Sequence, residues 1–181
     1  MDVPITHIIG TAALIGLVIS VALAYTIIVG YVEANVLKPQ LKQIAEYVSM
    51  NIVNLISLTE FAYGDSPSST VVTKTLKIPG NLNEKAYLVR LVNEGGNCYV
   101  EVKLVARSDI YAASPIPLNS TGARVTIAAT EEKINEIVSG GFPDNTITLT
   151  TTVYSGNPNI LIWCWKNNTI YAGLGTRSGG V

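Results

Sequence analysis

From residue 3 to residue 32 the chain is apolar almost without interruption, and residues 8–31 contain no Asp, Glu, Lys or Arg. A helix needs about 20 such residues to cross a hydrocarbon core, so this run predicts a helix that lies in lipid or inside protein. Past Val32 the pattern turns from continuous to periodic. Leu41, Ile44, Val48, Ile52, Leu55 and Ile56 follow steps of three or four, with Lys42, Gln43, Glu46, Ser49 and Asn54 mostly between them. That spacing predicts an amphipathic helix that continues the apolar one as far as Leu58 and packs one stripe on protein. Pro39, at the junction, predicts a kink or brief break, because it removes a backbone donor and crowds the preceding turn.

A Gly, Pro and Ser cluster at 63–70 marks the end of the helical pattern, and β-type sequence follows. Alternation or short apolar runs predict strands at 72–78, 86–92, 98–106, 124–128, 146–154, 160–165 and 169–172, with a hairpin loop over 93–97. One helix interrupts them at 130–139. Thr130 can cap it, Glu131 and Glu132 suit its N-terminal dipole, and Gly140 can close it in left-handed geometry. The expected fold class is therefore α+β: a long hydrophobic N-terminal helix over 1–60, then an antiparallel β-sandwich-like domain over 61–181.

Charge and chemistry narrow the function. The formal net charge is −1 and no basic patch exists, which argues against nucleic acid as a partner. The single histidine, His7, borders the apolar run, so the β-rich part has neither a His-based triad nor a multi-His metal site. Glu132 and Glu136 share a helix face without further ligands and read as solvated surface. The glycines of 173–181 lack the context of a phosphate loop. The chain is thus expected to be no enzyme, with no cofactor, no metal and no small-molecule substrate.

Cys98 and Cys164 both fall in expected strands and form either a disulfide or two separate buried thiols. Asn119-Ser120-Thr121 and Asn167-Asn168-Thr169 match the N-glycosylation acceptor pattern, which favours an exterior surface for the β-rich part. Lys38 and Lys42, beyond the apolar run, are too few to outweigh that orientation. No Lys or Arg precedes the apolar run, and its hydrophobicity continues past Ala24, so a cleaved secretory signal is not expected. Within the run Gly10, Ala13, Gly16, Ser20 and Ala24 recur at three and four, and mark a face on which another helix can approach closely.

The start from Gly10 to Ile19, the amphipathic extension to Leu58 and the β-rich domain with its acceptor triplets together resemble the archaeal type IV pilin and archaellin superfamily. The resemblance covers the whole chain as architecture and the helix as sequence. It implies a homo-polymer at the cell surface. The helices would form the core of a helical filament used for adhesion or motility, and the β domains its sheath. Each subunit would be held in the membrane before assembly. On this reading Gly10, Ala13, Gly16, Ser20, Ala24, Leu41, Ile44, Val48, Ile52 and Leu55 pack between subunits, so that Gly16→Leu or Ile44→Asp blocks polymerisation and leaves the head folded. Members of that family normally carry a basic leader ending in Lys/Arg-Gly, and no such site precedes the run here. The alternative with the same layout is a membrane-anchored, envelope-binding protein similar to an archaellum stator subunit.

Overall fold

The computed structural model describes residues 3–62, 71–118 and 124–177. The turn cluster at 63–70, the acceptor Asn119 and the last four residues of the tail lie outside them. Helix α1, Val3–Ala62, is unbroken and contains Pro39. The missing proline N–H leaves the carbonyl of Asn35 without its helical donor, at an exposed position of the helix, and the helix continues past it.

The chain divides into two compact units, Met1–Leu37 and Lys38–Val181. The sequence pattern set the boundary at 60/61; the contacts set it beside Pro39, because residues 38–62 of the helix belong with the sheets. Within the second unit Leu41, Ile44, Ala45, Val48, Ile52, Leu55 and Ile56 are all buried. They form the one apolar stripe that their spacing predicts, and the stripe faces the chain's own β domain.

After α1 come β1 Val71–Thr75, β2 Tyr87–Glu94, β3 Asn97–Leu104, β4 Tyr111–Pro115, β5 Val125–Ile127, α2 Glu131–Ser139, β6 Ile147–Thr150, β7 Thr152–Tyr154, β8 Ile160–Asn167 and β9 Thr169–Arg177. The fold is α+β. One sheet runs β1-β8-β9-β5, with β6 also on β9; the other runs β4-β3-β2-β7. Pairing is antiparallel, as expected, except that β5 lies parallel to β9, from Val125 opposite Ile170 to Ile127 opposite Ala172. The expected strand over 146–154 is two strands in different sheets. The chain changes sheet at Thr151, where the Thr150 hydroxyl donates to the Thr152 carbonyl at 2.8 Å.

Local sequence explains the joints. Between β2 and β3, Gly95 and Gly96 take φ of +58° and +86°, as a tight hairpin turn with two left-handed centres requires. Thr130 caps α2 by accepting from Lys133 N at 3.3 Å. The helix ends differently from expectation: Gly140 keeps φ −73°, and Gly141, at +87°, is the left-handed residue.

Strand β8 is buried from Ile160 to Trp165, as a strand covered on both faces should be. Its odd positions Leu161, Trp163 and Trp165 join Ala128, Ile147 and the α2 residues Ile134 and Ile137 in one cluster. Phe142 makes T-shaped contacts with both indoles, at 5.3 Å and 5.8 Å between ring centroids. The Trp163 indole donates to the Leu174 carbonyl at 2.8 Å, and a Cβ on Gly173 would lie 2.6 Å from the same ring. An even position of β8, Cys164, is hydrogen-bonded to the Thr59 hydroxyl of α1, which itself donates to the Leu55 carbonyl at 2.8 Å, so this strand lies between α2 and α1.

Helix α1 also covers a sheet edge. In the β3 and β4 ladder, Ile116 N bonds Cys98 O and Leu104 N bonds Ile110 O, which leaves the backbone groups of 111, 113 and 115 pointing away from β3. Lys42 Nζ donates to the Ala113 carbonyl at 2.9 Å and Ser49 Oγ to the Pro115 carbonyl at 2.6 Å. Pro115, which has no N–H, occupies an outward position where none is needed. A bare edge of this kind templates unwanted strand pairing; here the helix blocks it.

Candidate functional site

Among the described residues, 8–36 of α1 carry the most extensive exposed apolar surface. Ile8, Ile9, Leu14, Ile15, Leu17, Val18, Ile19, Val21, Leu23, Tyr25, Ile27, Ile28, Val29, Tyr31, Val32 and Val36 are all exposed. At about 1.5 kcal/mol or more for each such side chain buried, covering them is worth on the order of 20 kcal/mol, which no conformational preference of an isolated helix can offset. By length and composition this segment is sufficient to cross a membrane, and none of its most apolar window is buried within the chain.

The few polar side chains here are compatible with an apolar surrounding. Thr11 Oγ1 donates to the His7 carbonyl at 2.8 Å, Ser20 Oγ to the Gly16 carbonyl at 2.8 Å, and Thr26 Oγ1 to the Ala22 carbonyl at 2.8 Å. Each hydroxyl proton is satisfied inside the helix, so lipid or another helix can cover it without stranding a donor. Gly10, Ala13, Gly16, Ser20 and Ala24 are all exposed and fall within an arc of about 120° at 100° per residue. A Cβ added at Gly10 or Gly16 would meet no atom of the chain within 4 Å, so folding of this chain does not require glycine there.

The other five expected packing residues are placed differently. Leu41, Ile44, Val48, Ile52 and Leu55 are buried inside the second unit and cannot meet a neighbouring subunit. The expectation that Ile44→Asp leaves the head folded fails with them, because it would bury an unpaired carboxylate. The solvent side of the same helical segment carries a second stripe that the sequence reading missed: Tyr47, Met50, Leu58 and Phe61 are exposed, with Asn54 among them. Their steps of three, four, four and three confine them to an arc of about 80°, and that spacing was the available signal.

No catalytic arrangement emerges among the described residues, and none of them form a group of three or more His, Cys, Asp or Glu able to hold a metal. Glu136 is held by Lys133 at 2.6 Å on the exposed face of α2. Cys98 and Cys164 are separate, buried thiols on strands of different sheets, so the disulfide alternative is set aside. Burial pushes the Cys164 thiol up to about 11, against a smaller opposing effect of the Thr59 hydrogen bond. Burial likewise raises Cys98. Asn167 ends β8, half-buried, beside Asn168 at φ +56° in the turn to β9. Comparison with protein-family models, with curated proteins and with solved structures yields no match to this chain.

Proposed function

We propose that this protein is a structural subunit of an extracellular, type IV pilus-like filament, polymerising through its N-terminal helix in adhesion or motility. One observation supports the reading: an exposed apolar helical segment, bearing a face of small residues, precedes a separate compact β-rich unit. The same segment holds the subunit in the membrane before assembly, and lateral burial against sister helices replaces lipid afterwards. The function is one of packing, without an enzymatic step, a cofactor or a nucleic acid partner. Gly16→Leu is the test. The substitution projects a large side chain from the small face, so shed filaments seen by negative-stain microscopy in the parent should disappear while the β unit keeps its fold. Intact filaments with Gly16→Leu would refute the proposal.

A second reading, a membrane-anchored envelope-binding protein, is favoured by the sufficiency of one apolar span as an anchor. Residues 38–181 discriminate: an anchored binding module retains its envelope affinity as that fragment, whereas a filament subunit does not assemble.

A further inference from the structure

We propose that the outer face of the sheet β4-β3-β2-β7 carries a binding site for a small organic cation, an ammonium group held between Tyr99 and Tyr111 and beside Glu94. The site belongs to the second unit alone and does not depend on how the N-terminal helix is used.

Strand register builds the site. Tyr99, Glu101 and Lys103 of β3 point away from the core, because Cys98, Val100, Val102 and Leu104, which alternate with them, are buried. Tyr99 pairs with Val92 and Pro115, Glu101 with Arg90 and Ala113, and Lys103 with Leu88 and Tyr111. Pro115, opposite Tyr99, is four residues from Tyr111, about 13 Å along β4, and Ala113 lies midway. A single methyl group there does not fill the space between two phenol rings. A depression of about 230 Å³ remains, lined by Val92, Glu94, Tyr99, Glu101, Tyr111 and Ala113.

This lining favours a cation. Aromatic ring faces and carboxylates all present negative potential, and no lysine or arginine lines the depression. The nearby cations have carboxylates of their own. Arg90 Nε lies 2.8 Å from Glu101 Oε1, and its Nη2 donates to Oε2 at 3.2 Å. Lys42, which donates to the Ala113 carbonyl, lies 3.7 Å from Glu46. Glu94, at the exposed end of β2, has no side-chain partner among the described residues. Lys103 is opposite Leu88, six residues from Glu94 along β2. That separation of about 20 Å exceeds the screening length of roughly 8 Å at physiological salt, so the Glu94 charge stays uncompensated. An anion is therefore repelled, and a wholly apolar molecule would strip water from Glu94 without a compensating contact.

The test is an NMR titration of the full-length chain in polyoxyethylene detergent micelles, with choline as the probe and the Tyr99 and Tyr111 ring resonances as the readout. Choline should shift both saturably, and its neutral isostere, with carbon in place of nitrogen, should bind at least about five-fold more weakly. Tyr111→Leu and Glu94→Gln, both exposed substitutions, should each weaken choline about three-fold or more with Tm unchanged within about 2 °C. Tyr111→Phe, which keeps the ring, should bind as the parent does, and Ala113→Leu, which fills the depression, should abolish binding. Equal affinity for the isostere, or tighter binding of a neutral saccharide, would overturn the choice of a cation. Absence of saturable shifts at the two tyrosines, or undiminished binding in both Tyr111→Leu and Glu94→Gln, would overturn the site.

Discussion

Ile52→Ala and Met50→Ala, neighbours on α1, should have opposite consequences. Ile52 is 1% exposed and Met50 66% exposed. Removing the Ile52 side chain deletes buried methyl groups and leaves a cavity under the sheet, which for Ile→Ala costs about 2–5 kcal/mol. Alanine's better helix propensity recovers less than about 0.7 kcal/mol of this. With about 2–4 °C of melting temperature per kcal/mol for a chain of this size, Ile52→Ala should lower Tm by roughly 5–15 °C. Met50→Ala should move it by no more than about 2 °C, since an exposed substitution is worth within about 0.5 kcal/mol. The assay is thermal unfolding of the full-length chain in detergent micelles, followed by near-ultraviolet circular dichroism of the buried Trp163 and Trp165. Equal effects of the two substitutions, or an unchanged Tm for Ile52→Ala, would refute the assignment of this helical stripe to the β unit.

Three further outcomes follow from the same packing. The fragment 38–181 should fold cooperatively, whereas 61–181, which lacks Leu41 through Ile56, should expose the covered surface and bind a hydrophobic dye; a folded 61–181 would contradict the unit boundary. Gly173→Ala should cost about 1–3 kcal/mol by overpacking against Trp163, read as a lowered midpoint in urea. Stability should also decline at high pH. The folded Cys164 holds its proton up to about 11 and an unfolded thiol only to its ordinary value of 9.0, so the unfolded state binds fewer protons between these limits. The contribution is fully present below 9 and lost towards 11, about 2–3 kcal/mol in all, and Cys164→Ala should flatten that part of the profile.

Much of this architecture was legible in the chain because its signals are local. An uncharged apolar run, the stripe spaced from Leu41 to Ile56, the cap at Thr130 and the paired glycines at 95 and 96 each act through neighbours in sequence, and each yields the element expected. Strand β4, Tyr111-Ala-Ala-Ser-Pro115, escaped notice because alanine and proline carry little β signal. It is held by pairing with β3 and by donors from Lys42 and Ser49, about 70 residues away in the chain.

The direction in which each surface faces was a matter for the tertiary structure alone. Periodicity showed that Leu41, Ile44, Val48, Ile52 and Leu55 share a side; it could not tell whether that side meets a sister subunit or the chain's own sheets, since both satisfy the same apolar pattern. The separation of Cys98 from Cys164, the parallel pairing of β5 and the change of sheet at Thr151 likewise depend on contacts between residues remote in sequence. By itself the sequence determined that two apolar helical surfaces must be covered. Only the three-dimensional arrangement decided which of them the protein covers for itself, because burial depends on what lies opposite and not on spacing alone.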